Sequence, residues 1–336
     1  MSDSATSRWS TRQLLPPTLV FLAALFATVA IASPTLLAPQ LARVSLDTSL
    51  VTTSKSTAPA ATFDRCSLDR PTAAATPPRT LIRNQRVVVV RPADRTTATL
   101  QAGTAIRRDA PASTGCTDPV LSAVVDRVTI SRTTAEPTGE SSVQTDSTRP
   151  TTLLPDRSGF TYLFGPRLRA DDGLRFFDPI TRRTVALQKL GDDTVEGLSI
   201  VRLRADIPDT NLATLPAADP RSRITKPAVW FGWPGDTPIT ADAHQGGRYT
   251  LWVDKRSGLI IDAEIAVRRD YRAADRSLPD FAATFRYDAA TRASLADAAR
   301  SQARPAWLAG RIVPLVAALV ALAAIVGTLV IQRRRM

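Results

Sequence analysis

Two uncharged apolar segments, one near each end of the chain, constrain its structure more than any other feature. The second covers residues 312–331. As a helix rising 1.5 Å per residue, it would be about 30 Å long, which matches the hydrocarbon core of a bilayer. The first covers residues 14–32 and is followed by Ser33 and Pro34. We therefore predict transmembrane helices at 14–37 and 308–331, with a large polar domain between them.

Cations beside the two segments predict how the chain is oriented. Five arginines flank their outer ends: Arg8 and Arg12 before the first, and Arg333, Arg334 and Arg335 after the second. Positive charges close to a span tend to stay on the cytoplasmic side. We therefore expect residues 1–13 and the tail 332–336 to be cytoplasmic. The bulk of the chain would then lie outside the plasma membrane.

The first apolar segment has an alternative interpretation as a cleaved signal peptide. Arg8 and Arg12 would form its positive region, and the small residues around 30–32 would form its cleavage site. In either case the central domain ends up outside the cytoplasm.

The two cysteines, Cys66 and Cys116, both fall in this central domain. Oxidising conditions outside the cytoplasm allow a disulfide to persist, and an even cysteine count favours pairing. We therefore predict a Cys66–Cys116 disulfide. Two unrelated free thiols are the alternative.

The formal net charge of +12 does not indicate nucleic-acid binding. Six of the arginines flank the apolar segments, and the central domain has no dense basic stripe interleaved with aromatic residues. Its mild positive charge is compatible with attraction to anionic envelope lipid or polymer. We expect the lipid bilayer as a partner, and no nucleic acid.

Composition divides the central domain into two parts. Residues 38–79 are rich in Ser, Thr, Ala and Pro, so we predict an extended stalk there. Residues 80–305 contain alternating segments such as 195–207 (VEGLSIVRLRADI) and a hairpin at 247–265, and predict an extracytoplasmic β-rich domain. The fold class is a membrane-anchored α+β protein, mainly β, with a curved, half-barrel-like antiparallel sheet between the two helices.

Two aspartates follow apolar strand ends and precede a hydroxyl residue by three positions. Asp178 precedes Thr181, and Asp254 precedes Ser257. This spacing is typical of an Asx turn, in which the carboxylate accepts hydrogen bonds from the following amides. We therefore predict turn residues at both positions rather than catalytic carboxylates.

Four segments together are characteristic of one known family: 160–165 (FTYLFG), 176–178 (FFD), 195–203 (VEGLSIVRL) and 251–262 (LWVDKRSGLIID). In these segments and in its layout of two spans around a β-rich domain, the chain resembles the actinobacterial membrane proteins of the porin PorA family. The resemblance implies a place in the cell envelope and allows pore formation. Because the shared motifs are turns and strand aromatics, it implies no catalytic or binding residues.

A membrane barrel formed by one chain is not what the segments predict. Such a barrel needs tilted strands of about 9–11 residues that are apolar outside and polar inside. Here Pro- and Thr-rich stretches interrupt the strands, and the chain already has two apolar helices. A pore would require several copies.

The sequence contains no strong catalytic or metal-binding motif. His244 is the only histidine, which excludes a multi-histidine metal site, and we interpret it as a solvated loop residue. The aspartate pairs 171–172 and 192–193 lack the spaced oxygen ligands of a calcium loop and indicate solvated turns. We therefore expect no enzyme activity and no cofactor.

Trp230, Phe231 and Trp233 form the densest aromatic cluster. One interpretation is a loop packed onto the apolar face of the sheet, and the other is a binding platform for a ligand.

The apolar face of a curved sheet must be covered by its own helix, a partner or a lipid chain. We therefore expect a non-catalytic envelope protein that binds a lipid or other hydrophobic ligand or scaffolds envelope partners, alone or as a homo-oligomer. The alternative is the pore-forming activity that the resemblance implies.

Overall fold

The computed structural model describes residues 11–168 and 173–334. The chain divides into two compact units. Met1–Arg43 and Ala303–Met336 form the first, the helical unit, and Val44–Gln302 form the second, the sheet domain.

The helical unit contains two apolar helices that are long enough to cross a membrane. α1 (Thr11–Ala32) continues through a π-helical turn (Ser33–Leu37) into the short α2 (Ala38–Leu41). In the C-terminal part of the chain, α3 (Ala289–Trp307) continues through a second π-helical turn (Leu308–Ile312) into α4 (Val313–Arg333). The spans predicted at 14–37 and 308–331 fall on these two helical segments.

Small residues form the contact between α1 and α4. The α4 side chains that are buried in this contact are Ala317, Ala321, Ala324 and Thr328. Lipid tails are as apolar as large aliphatic side chains, so helix association in a membrane relies on close backbone approach, which small residues permit. Ser33 Oγ donates to the Ala309 carbonyl at 2.6 Å, so the end of α1 lies beside the start of α4. The two helices are therefore antiparallel.

The sheet domain is built mainly from one antiparallel sheet. Its strands and those of a small hairpin are β1 (Ser49–Ser56), β2 (Leu81–Ala93), β3 (Thr97–Arg108), β4 (Val120–Ser131), β5 (Pro137–Gln144), β6 (Thr152–Leu153), β7 (Arg175–Asp178), β8 (Arg183–Ala186), β9 (Gln188–Val195), β10 (Leu198–Asn211), β11 (Arg223–Pro227), β12 (Pro238–Asp254), β13 (Ile260–Ala273) and β14 (Arg276–Tyr287). Within the described residues, twelve strands follow the order β6-β5-β4-β3-β2-β1-β14-β13-β12-β10-β9, with β11 beside β12. β7 and β8 form the separate hairpin. β6 and β9 lie at opposite ends of this order, so the sheet is not closed into a barrel.

The predicted stalk at 38–79 is wrong for most of that segment. β1 lies between β2 and β14, where Ser49–Lys55 pair with β2 and Ser54–Ser56 pair with β14. Leu50, Thr52 and Ser54 alternate as buried residues, and Ser54 Oγ donates to the Arg83 carbonyl at 3.2 Å. A strand rich in hydroxyl residues is buried here because its backbone is hydrogen-bonded to two neighbouring strands. Amino-acid composition alone does not predict that β1 pairs with β2 and β14.

One hydrogen bond demonstrates that the sheet is strongly curved. Arg269 Nη2 on β13 donates to Ser122 Oγ on β4 at 3.0 Å. Four strands, β3, β2, β1 and β14, separate β4 from β13 in the sheet order. In a flat sheet with strands about 4.8 Å apart, the two strands would be about 24 Å from each other. The predicted curved antiparallel sheet is therefore confirmed.

The chain itself covers the concave face of this sheet. We call residues 157–168 and 173–187 the insert; they lie between β6 and β9 and include β7 and β8. Five of its aromatic and aliphatic residues share one buried cluster with inward side chains from both flanks of the sheet: Phe160, Tyr162, Leu163, Phe164 and Phe176. Leu295, Ala296 and Ala299 of α3 belong to the same cluster. The apolar face predicted for the sheet thus has its own cover.

The insert is tied to the turn between β12 and β13. Phe164 N donates to the Gly258 carbonyl at 2.8 Å, and Leu163 forms a bridge with Leu259. Gly258 has φ +78°, and an added Cβ would collide with the Phe164 carbonyl oxygen. A glycine is needed here both for the backbone conformation and for the close approach of the insert.

Candidate functional site

A small internal cavity lies between the concave face and the insert. Its volume is about 50 Å³. Polar residues from strands far apart in the sheet line it together with apolar ones; the polar lining includes Arg83, Gln85, Thr104, Ser122, Tyr162, Asp178, Gln245, Tyr249 and Tyr287. This concentration of polar groups inside the domain is the most distinctive chemical feature of the described chain.

A buried ion pair holds the insert at one side of the cavity. Arg157 Nη1 lies 2.5 Å from Asp126 Oδ1, and both side chains are almost fully buried. Tyr162 OH donates to Asp126 Oδ2 at 2.6 Å, and Arg157 Nη2 donates to Thr161 Oγ1 at 2.9 Å. Burial and the neighbouring Asp126 carboxylate raise the pKa of Tyr162 well above its ordinary value. A buried ion pair is tolerated when its remaining atoms are hydrogen-bonded, as they largely are here.

The two predicted Asx turns are present. Asp178 Oδ2 accepts hydrogen bonds from the Thr181 N–H at 2.9 Å and the Thr181 hydroxyl at 2.7 Å. Asp254 Oδ2 accepts the equivalent pair from Ser257 at 2.8 and 2.7 Å. Tyr249 OH donates to the other oxygen of Asp178 at 2.9 Å, so this turn also joins the insert to β12. Both carboxylates hold the turns that follow their strands.

Arg83 is the cation that faces the cavity. It is 7% exposed, and its Nη1 atom is buried without a hydrogen-bond acceptor. Arg83 belongs to none of the motifs recognised in the sequence. Its inward position could have been predicted, because Arg83 lies on the same face of β2 as the buried Leu81 and Val87. That face is the concave side of the sheet.

The predicted disulfide is present between Cys66 and Cys116. Cys66 lies in a 3-10 turn (Arg65–Asp69) before β2, and Cys116 lies in a second 3-10 turn (Gly115–Thr117) before β4. The bond therefore closes a loop that contains the β2–β3 hairpin.

The predicted aromatic platform is corrected by the structure. Trp230 is 3% exposed and Phe231 is also buried, in a second core cluster with Phe63 and Tyr271. Trp230 Nε1 donates to the Ser67 carbonyl at 3.0 Å, and only partly exposed Trp233 stacks on Phe231 with ring centroids 4.7 Å apart. The loop packs onto the domain because two large rings bury more apolar area there than they would on the surface.

The remaining sequence candidates lie apart from the cavity. His244 Nδ1 contacts Asp209 Oδ2 at 2.8 Å in a partly exposed site on β12. Asp192 pairs with Lys255 at 2.7 Å, and Asp193 accepts a hydrogen bond from Trp252 Nε1 at 3.2 Å. The pair 171–172 lies outside the described residues. No group of three or more His, Cys, Asp or Glu side chains suited to a metal occurs in residues 11–168 and 173–334.

Only some of the arginines that predict the membrane orientation belong to the described residues. Arg333 ends α4 and Arg334 follows it. Arg8 and Arg335 lie outside the described residues, and Arg12 is described only as part of the α1 backbone. The cytoplasmic position of both termini stays a prediction.

The convex face of the sheet is charged. Asp206 pairs with Arg204 at 2.8 Å and with Arg248 at 2.7 Å. An open groove of about 620 Å³ lies beside them, lined by residues 57–60 and by small residues of β12, β13 and β14. A surface with these charges would be costly to place against lipid hydrocarbon.

Comparison with known proteins finds a family model that matches nearly the whole chain. The family model described as Porin PorA matches residues 15–330. A curated protein from Corynebacterium amycolatum, also called Porin PorA, is 25% identical over 224 residues. That match covers 59% of this chain and 56% of the relative, so the chain spans little more than half the length of the relative that it matches.

Proposed function

The chain belongs to the Porin PorA family, and from this premise we propose that it is a non-catalytic, membrane-anchored envelope protein that scaffolds polar partners. The Ser33–Ala309 hydrogen bond brings the end of α1 beside the start of α4. The two connections to residues 44–302 therefore leave the helix pair at the same end. From the positive-inside preference of the flanking arginines we infer that this end is the outer one.

One observation carries the proposal: the apolar concave face is filled by the insert and α3. The cavity that remains has a volume of about 50 Å³, whereas drug-sized ligands and cofactors occupy pockets of roughly 300–1,000 Å³. A lipid chain would have to displace the insert and separate the buried Arg157–Asp126 pair. Lipid binding on this face is therefore the less favoured version of the proposal.

The open groove on the convex face is the surface we infer for partner contact. Its volume is about 620 Å³, and it is bordered by Asp206, Arg248 and Arg268. Charged borders around small residues suit a polar, extended partner better than an acyl chain. An envelope polymer or a protein segment has this chemistry.

Site-specific crosslinking in whole cells tests partner contact. A photoreactive amino acid replaces Ala266 in the groove, and a matched control variant carries it at Val125, which is 45% exposed on β4. We expect one defined crosslinked product from position 266 that is absent from position 125. Equal labelling at both positions, or none at 266, would contradict the assignment of the groove.

Pore formation by an oligomer is the second candidate, and the family name favours it. Neither apolar helix carries a charged residue within residues 14–32 or 312–331, so a water-filled lumen would have to be lined by other parts of the assembled chains. Planar-bilayer recordings of the purified full-length protein, with its oligomeric state measured in the same detergent, test this candidate. Reproducible conductance steps would support it, and silent bilayers at matched protein density would remove it.

A further inference from the structure

The Arg83 guanidinium is buried and forms no ion pair with a described residue, although the Asp178 carboxylate lines the same cavity. No carboxylate of the described residues lies within 4.0 Å of it, and Nη1 has no hydrogen-bond acceptor. Leaving a buried charge unpaired costs several kcal/mol in a folded protein. A bound ion or water could supply the missing interaction.

Other arginines on this side of the sheet have ion pairs or hydrogen bonds within the protein, although the buried Nε atom of Arg157 has no acceptor. Arg157 pairs with Asp126. Arg269 donates to Gln245 Oε1 at 2.7 Å, and Arg65 donates to two carbonyls of β4 at 3.0 Å each. Arg83 differs from these three because its guanidinium faces the cavity.

The cavity lining contains further hydrogen-bond donors, together with acceptors on the tyrosine phenols and on the Gln85 amide. The Ser122 and Thr104 hydroxyls accept hydrogen bonds from Arg269 and Gln85, which leaves their own protons available to donate. The acidic residue in the lining is Asp178, and both of its oxygens are already engaged by Thr181 and Tyr249. The donors that remain available to an occupant of the cavity are therefore the Arg83 guanidinium and the Ser122 and Thr104 hydroxyls.

The positive charge of Arg83 also affects the pKa values of the tyrosines around the cavity. Burial raises the pKa of Tyr287, and the positive charge of Arg83 opposes that rise. Burial likewise raises the pKa of Tyr249 well above its ordinary value, followed by the influence of Asp178, and Arg83 again acts in the opposite direction. These phenols stay neutral and can serve as hydrogen-bond groups.

We propose that this cavity is a binding site for one small monovalent anion, held by the Arg83 guanidinium and neighbouring hydroxyl groups. The shared chemistry is that of chloride, bromide or a short carboxylate. The volume of about 50 Å³ accommodates such an ion with one or two waters, since a single water needs about 10–15 Å³ on the same measure. An acyl chain does not fit, so a fatty-acid carboxylate is not the proposed ligand.

The test measures unfolding of the full-length protein in detergent as sodium gluconate is replaced by sodium chloride at constant ionic strength. One site specific to the folded state predicts that the unfolding equilibrium constant falls tenfold for each tenfold rise in chloride above the dissociation constant. We expect this slope for the wild type and for Arg86→Met, an exposed arginine on the same strand. Arg83→Met, which keeps most of the side-chain length, is expected to have no chloride dependence.

Two outcomes of the unfolding test would overturn the proposal: a wild type that does not distinguish chloride from gluconate, or an Arg83→Met variant that keeps the wild-type slope. Should Arg83→Met not fold, crystals of the wild type grown in bromide provide the second measurement. An anomalous bromide peak beside Arg83 supports the site. Water alone in the cavity, or a co-purified fatty acid with its carboxylate there, contradicts it.

Discussion

Replacing both cysteines by serine should lower the free energy of unfolding of the sheet domain by about 4 kcal/mol. The disulfide joins residues 50 positions apart, and in the chain-entropy model a closed loop of that length restricts the unfolded chain by about this amount. A domain with a stability of about 5–15 kcal/mol survives such a loss and stays folded at low denaturant. The change acts mainly on the unfolded state, so the packing around Cys66 and Cys116 is expected to persist.

Urea denaturation of the full-length protein in detergent measures this change. Trp230 is a suitable fluorescent reporter because its indole N–H donates to the Ser67 carbonyl, one residue from Cys66. Treatment of the wild type with reductant should reproduce the loss, and the same treatment of the double serine variant should have no effect. The larger unfolded-state surface should also raise the dependence of stability on urea concentration.

A reduced wild type that loses less than about 1 kcal/mol would refute the reasoning, because it would mean that the unfolded chain already holds the two turns together. A double variant that matches the oxidised wild type would refute it in the same way.

Arg157→Met should lower the free energy of unfolding by about 3–5 kcal/mol in urea denaturation, because it leaves the Asp126 carboxylate buried without its cation; a loss below 1 kcal/mol would contradict this role. Gly258→Ala should lower the free energy of unfolding more than Gly139→Ala does. Both positions have positive φ, but only the Cβ added at residue 258 collides with the insert. Equal unfolding midpoints in urea for the two variants would argue against the close approach. Backbone amides of the following turn donate hydrogen bonds to Asp94 and lower its pKa to about 2. The wild type should therefore be more stable than Asp94→Asn by an amount that is complete above about pH 4 and vanishes as the pH falls through about 2. NMR titration of the carboxyl group measures the pKa, and an ordinary value would refute the prediction.

Local chemistry made several features predictable from the sequence. The two apolar segments are recognisable by length alone. The Asx turns at Asp178 and Asp254 need only a carboxylate and a hydroxyl three residues later, and both form as expected. The cysteine pair followed from an even count and a compartment in which disulfides persist.

Long-range pairing explains what the sequence did not reveal. β1 has the composition of a stalk, yet its backbone completes the sheet between β2 and β14. The insert has strand-like segments, and only the folded domain places them across the concave face. Trp230 could have been exposed or buried, and its burial depends on Phe63, which lies more than a hundred residues earlier.

Arg83 is a further feature that the sequence predicts only in part. Its inward position follows from alternation along β2, but its lack of a partner depends on where every other carboxylate lies in three dimensions. A sequence pattern gives the direction of a side chain more readily than it gives the neighbours that the side chain meets.

The position of β1 between β2 and β14 also has a consequence for biosynthesis. Strands β1 to β6 can pair before the rest of the sheet has been made, since each contacts a neighbour close in the chain. The edge of β1 that faces β14 waits until residue 287 has been made, because Ser54 pairs with Tyr287. A nascent or truncated chain therefore carries an unprotected strand edge that invites aggregation. The synthesis of β14 is therefore the step that closes this edge.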